Sequence, residues 1–145
     1  MDTDEWIEQK EGKPIHQIFS EKGEVYFRAL ESEYLRKTVE LHKIVVATGG
    51  GTPLFHDNLA WMNNNGLTIY LKAAPELLAS RLEGQTALRP LLKGKTGHDL
   101  LKLIMRYLKK REPVYEKAQM CYELKDGNQK YAEDIAFHLS KFVRT

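Results

Sequence analysis

The residue types that could do chemistry in this 145-residue chain begin with a glycine run, Thr48-Gly49-Gly50-Gly51-Thr52, which follows the apolar stretch Lys43-Ile44-Val45-Val46-Ala47. Open parallel sheets bind ligands beyond the carboxyl ends of their strands. Three glycines there let backbone N–H groups approach an anion or a hydroxyl-rich ligand closely. A turn needing positive φ accounts for one or two of them. Asp2 and Asp4 stand two apart ahead of a helix. In extended chain such residues share a face, which would aim one carboxylate at a Mg²⁺ shell and the other at ligand hydroxyls. Helix capping and the macrodipole account for acids at that place equally well.

Four arginines are the cationic candidates. Arg28 lies beside Phe27 in a helical pattern, where a solvated face is the ordinary place for a guanidinium. Arg89 opens Arg89-Pro90-Leu91-Leu92, where it could fold over phosphates as charge develops on a transferring phosphoryl group. Arg111 ends a basic helix C-terminus, which the macrodipole also favours. Arg81 could touch a nucleotide base or lie on the surface. His16, His42, His56, His98 and His138 show no ligand spacing. Trp6, Trp61 and Cys121 read as packing residues.

The elements that must position these groups follow from periodicity. Phe27, Leu30, Tyr34, Leu35 and Leu41 repeat at helical spacing over 23–41, as do Leu100, Leu101, Ile104, Tyr107 and Leu108 over 98–112, where Pro113 is expected to end the helix. A further helix fits 131–143, and shorter ones fit 5–10, 15–20 and 75–82. Apolar runs at 43–47, 67–71 and 120–124 read as strands, the first two covered on both faces. Alternating strands and helices predict an α/β fold with a parallel sheet. The stretch 85–97 lacks periodicity and has the length of a lid.

Composition narrows the classes. With 42% hydrophobic and 29% charged residues the chain fits one globular domain. A net charge of +2 is too mild for a nucleic-acid binder. The acidic start carries no secretory signal, and no apolar run reaches the ~20 residues of a membrane span. One cysteine precludes an internal disulfide, so a cytoplasmic location is expected.

The order of motifs is more specific than any one of them. Asp-Thr-Asp-x-x-Ile-Glu over 2–8, Gly12-Lys13-Pro14-Ile15 with Ile18-Phe19, Gly23-Glu24-x-x-Phe27-Arg28-x-x-Glu31, Val46-Ala47-Thr48-Gly49-Gly50-Gly51, Arg89-Pro90-Leu91-Leu92 and Arg111-x-Pro113-x-Tyr115-x-x-Ala118 together resemble shikimate kinase. The resemblance spans essentially the whole chain. It implies a three-layer α/β/α P-loop kinase, a single domain over 1–145 with substrate-binding helices over about 4–41 and a lid over about 84–97, transferring the γ-phosphoryl of ATP to the 3-hydroxyl of shikimate in chorismate and aromatic amino-acid biosynthesis. By position it implies that Asp4, Arg28, Gly49, Gly50, Gly51 and Arg111 bind shikimate, with Asp4 also accepting the attacking hydroxyl's proton. Arg89 would reach the ATP phosphates, Arg81 the nucleotide, and Asp2 a Mg²⁺ ion through water. A monomer is expected.

The family's Gly-x-x-Gly-x-Gly-Lys-[Ser/Thr] loop occurs nowhere in these 145 residues, and no lysine follows Gly51 within a helical turn. In the family that loop precedes the aspartate pair. The expectation is therefore a domain without its N-terminal strand–P-loop–helix unit, inactive by itself. The alternative is a non-catalytic shikimate-binding or interaction module that retains Asp4, Arg28 and Arg111.

Overall fold

Asp2 sets the start of the first helix. Its backbone is extended and its carboxylate accepts from the N–H groups of Asp4 at 2.8 Å and Glu5 at 3.4 Å, satisfying two donors that α1 (Thr3–Glu11) would otherwise leave open. In this computed structural model, which describes residues 1–83, 92, 94–125 and 130–142, five further helices follow. They are α2 (Ile15–Lys37), α3 (Asn58–Asn65), α4 (Pro75–Leu82), α5 (Gly97–Tyr115) and α6 (Tyr131–Phe142). Two strands, β1 (Ile69–Ala73) and β2 (Met120–Leu124), pair in parallel from Ile69 opposite Met120 to Ala73 opposite Leu124. Single turns of 3₁₀ helix cover Thr38–Glu40 and Thr52–Leu54.

The expected helices over 15–20 and 23–41 form one element that ends at Lys37, leaving Leu41 exposed beyond it, with a break at Gly23 whose φ of 81° and ψ of 172° are essentially glycine-only. That kink lets both halves of α2 pack on α1. Ile7, Ile18, Phe27, Leu30 and Tyr34 make the core there, with Trp6 meeting Tyr34 edge-on at 5.1 Å. A second core joins α4 to α5 through Leu100, Leu103, Ile104 and Leu92, with Leu78 and Leu82 against it.

Four expectations change. Pro113 does not end α5, which runs on to Tyr115. A proline this near the C-terminus forfeits one hydrogen bond of the last turns, and the closing turn is held by the Glu116 N–H on the Glu112 carbonyl at 2.9 Å. The 43–47 run is not a strand covered on both faces. It is joined by one parallel bridge, between Asp2 and Ala47, and Val45 is 82% exposed. The strand expected at 67–71 lies two residues later, at 69–73, and Leu71 is exposed. Cys121 sits in β2 but is an exposed free thiol, pointing away from the packed side. Helix α3, made of Asn-Leu-Ala-Trp-Met-Asn-Asn-Asn, was not expected, because asparagine favours caps and turns over helix interiors.

Candidate functional site

The glycine run forms the hub of the site, for a reason other than backbone freedom. None of Gly49, Gly50 and Gly51 has a left-handed φ, which removes the turn explanation. Each instead leaves room for a different side chain. A Cβ on Gly49 would lie 3.2 Å from Glu31 Oε1, 3.4 Å from Asp4 Oδ1 and 3.5 Å from Thr52 Oγ1. On Gly50 it would lie 3.2 Å from the Tyr115 hydroxyl and 3.7 Å from Arg111 Nη1. On Gly51 it would overlap the Arg28 guanidinium, 2.8 Å from Cζ. Carboxylates, guanidinium groups and a phenol thus converge on three consecutive residues from α1, α2 and α5.

Position follows from the elements. The bridge to Ala47 ties the start of α1 to the chain entering the glycine run, with the Thr3 N–H and hydroxyl both donating to the Ala47 carbonyl at 3.0 and 3.2 Å. This sets Asp4 beside Gly49. Asp4 lies within the helix and Asp2 caps it, so the extended-chain argument for a shared carboxylate face does not hold. The run then closes as a turn, the Thr52 N–H donating to the Gly49 carbonyl at 3.0 Å.

Arg28 is not on a solvated face. It is buried, with Nη1 on Glu31 at 2.6 Å, Nη2 and Nε on Glu24 at 2.9 and 3.2 Å, and Cζ 4.4 Å from the centre of the Phe55 ring. Burial works against the guanidinium's charge, but the hydrogen bond and charge of Glu31, joined by Glu24, outweigh it and raise its pKa. Glu31, itself 2% exposed, accepts from the Thr52 hydroxyl at 2.7 Å through its other oxygen. Asn58, fully buried, donates to the Thr52 carbonyl at 2.9 Å and accepts from Ser32 at 3.0 Å and Arg36 at 2.9 Å. Every buried polar atom in this strut is thereby satisfied by α2 or α3, which fixes the turn against the helix bearing Arg28. On the other side Arg111 stacks on Tyr107, with Cζ 4.8 Å from the ring centre, and the Tyr115 hydroxyl donates to the Gly50 carbonyl.

The structure thus brings Asp4, Arg28, Arg111 and Gly49–Gly51 together. Arg81 is exposed and engages Tyr131, donating to its hydroxyl at 3.0 Å. Arg89 lies outside the described residues, as does most of the expected lid. Glu31, Thr52, Asn58, Phe55 and Tyr115 escape residue-type reasoning. Only the i, i+3 spacing of Arg28 and Glu31 and the i, i+4 spacing of Arg111 and Tyr115 hint at two of them.

The glycine run is not a nucleotide-phosphate loop of the P-loop kind, since no lysine follows Gly51 within a helical turn. Among the described residues no cluster of three or more His, Cys, Asp or Glu side chains could hold a metal ion. No helix among them is long and apolar enough to cross a membrane.

Comparison with known proteins agrees with this geometry. The family model for shikimate kinase matches residues 1–143. The chain belongs to the shikimate kinase family. The shikimate kinase of Parabacteroides distasonis is 42% identical over 85% of the chain and 71% of that protein, and that of Bacteroides fragilis is 40% identical over 89% and 74%. Among solved structures, shikimate kinase from Bacteroides thetaiotaomicron superposes with a TM-score of 0.88 at 34% identity, over all of this chain and 83% of that one. The Acinetobacter baumannii enzyme in complex with shikimate gives 0.83 at 31%, over 98% and 76%. The family consists of ATP-dependent kinases with an α/β P-loop fold, and the parallel β1–β2 pair flanked by helices is part of it.

Proposed function

We propose that the hub is the acceptor site of a shikimate kinase, binding shikimate in place for phosphorylation of its 3-hydroxyl. The observation that carries this reading is the convergence of two carboxylates, Asp4 and Glu31, and two guanidinium groups on a turn whose three glycines all give way to side chains. A ligand bearing a carboxylate and several hydroxyls suits that set. Arg28 and Arg111 flank the turn and provide charge-assisted donors for the carboxylate. Asp4 faces the hydroxyls and takes the proton as the acceptor oxygen attacks. N–H groups of the turn complete the hydrogen bonding.

ATP, with Mg²⁺, supplies the phosphoryl group in this family. The described residues do not supply a cradle for its phosphates, since no P-loop occurs in the 145 residues. Asp2, Arg81 and Arg89 are assigned to the nucleotide side, Asp2 toward a hydrated Mg²⁺. The chain by itself is accordingly expected to bind shikimate and not to turn over ATP. The reading adds a monomer acting in the cytoplasm, with no nucleic-acid partner.

Calorimetric titration of the 145-residue chain tests the proposal. Shikimate heat that disappears in Arg111→Met, together with no ADP release in a coupled assay, is the expected result. A folded chain with no affinity for shikimate would overturn the acceptor-site reading. Sustained turnover by the chain alone would overturn its second part.

A further inference from the structure

We propose that Tyr115 is a positioning residue whose hydroxyl selects the orientation of the Gly50–Gly51 peptide, and with it the donor that the turn offers to a bound ligand. The inference rests on the acceptor-site reading for its binding consequence, but not for its conformational one.

The turn from Gly49 to Thr52 is closed by the Thr52 N–H on the Gly49 carbonyl, so Gly50 and Gly51 occupy its two central positions. Turns of this kind come in two forms that differ by a flip of the central peptide: type I keeps the second central residue at negative φ, and type II takes it to about +80°. Glycine at that position adopts both readily. Gly51 has φ −83° and ψ −32°, the type I form. Sequence alone does not favour that form, and a glycine there usually signals the other.

The atoms that decide between them come from outside the turn. In the observed form the Gly50 carbonyl accepts the Tyr115 hydroxyl. In a trans peptide the C=O and the following N–H point in opposite directions, so a carbonyl held toward Tyr115 aims the Gly51 N–H the other way. A flip would break this bond and turn that N–H toward the phenol. Tyr115 is well placed to hold the choice. It ends α5, one turn beyond Arg111 on the same face, and its ring packs on Tyr70 of β1 with centroids 5.2 Å apart. The Gly51 N–H donates to no backbone carbonyl among the described residues. One helical face thus carries both a cation of the site and the group that orients the turn, and Gly50 admits both because it has no Cβ.

The test is Tyr115→Phe, which keeps the ring on Tyr70 and removes one hydroxyl. Heteronuclear NMR of the ligand-free chain reads the turn directly. The expected result is a shift or exchange broadening of the Gly50 and Gly51 amides, with thermal stability close to the parent. Unchanged glycine amides would overturn the proposal whatever the binding data show. Shikimate titration reads the consequence: affinity should fall roughly three- to tenfold, the worth of one such hydrogen bond. Displaced amides with unaltered affinity would overturn the positioning role and leave only a structural one. Absence of binding by the parent chain would instead sink the acceptor-site reading, with the turn claim still decided by the amides.

Discussion

Replacing Gly51 by alanine probes the packing of the site more directly than removing any of its charged groups. The added Cβ would stand 2.8 Å from Arg28 Cζ and 2.9 Å from Nη2, against ordinary carbon contacts of ~3.5–4.0 Å. Arg28 has little room to retreat. Its side chain is only 9% exposed, is bonded to Glu31 at 2.6 Å, and lies over Phe55. Either the turn shifts, at the ~1–3 kcal/mol typical of overpacking, or the buried pair parts, at the ~3–5 kcal/mol of stranding a buried charge. The first route is cheaper, so Gly51→Ala should lose ~1–3 kcal/mol. The cause is isolated by a double-mutant cycle with Arg28→Gln, whose shorter side chain ends before the overlapping atoms, near the Nε position that donates to Glu24. In that background the alanine should be nearly neutral, giving a coupling of ~1–2 kcal/mol, within the range for residues in contact. Urea unfolding of the four proteins, extrapolated linearly, measures it. If the alanine costs the same with and without the guanidinium, within ~0.5 kcal/mol, the claim that Gly51 exists to admit Arg28 is wrong.

Two further outcomes follow from the fold. Gly23→Ala should destabilise by ~1–3 kcal/mol through backbone conformation alone, since no heavy atom lies within 4 Å of the added Cβ; an unchanged melting temperature would show that the kink in α2 is not required. Tyr70 is pushed up to about 12 by burial first and by Glu112 next, so the unfolded chain releases that proton before the folded one does. The stability it contributes is therefore whole below about pH 10 and is lost as pH rises toward the folded value. Tyr70→Phe should flatten this part of the decline in urea midpoints above pH 10, and an identical slope in both proteins would refute the assignment.

Much of the fold was legible because it depends on local patterns. Phe27, Leu30, Tyr34, Leu35, Leu100 and Ile104 bury where their periodicity says, with Tyr107 and Leu108 half-buried beside them and Leu41 exposed, and Pro75 starts α4 as a first-turn proline should. Errors fall where a nonlocal contact decides. An apolar run becomes strand only by pairing, and among the described residues 43–47 has one bridge. Helix α3 carries poor helix formers, but Asn58 at its first turn is consumed by a buried bond to the Thr52 carbonyl, a tertiary demand that propensity does not register.

The site was legible in its charges and opaque in its supports. The order of motifs singled out Asp4, Arg28, Arg111 and the glycines, whereas residue type alone fits capping, a solvated face or the macrodipole equally well. Nothing local says that Arg28 turns inward, since a helical arginine at i, i+3 from a glutamate fits a solvated face equally well. What turns it inward is Phe55 beneath the guanidinium and the Thr52 hydroxyl, which occupies the second oxygen of Glu31. A buried ion pair is seldom a net source of stability, because desolvation offsets its attraction. This one is fully hydrogen-bonded on the carboxylate side and is aimed at the turn. Its value therefore lies in holding a charge at a fixed place beside Gly51, a constraint that Glu31→Gln should loosen without removing Arg28 itself. Shikimate affinity would then fall in that variant by more than its stability does.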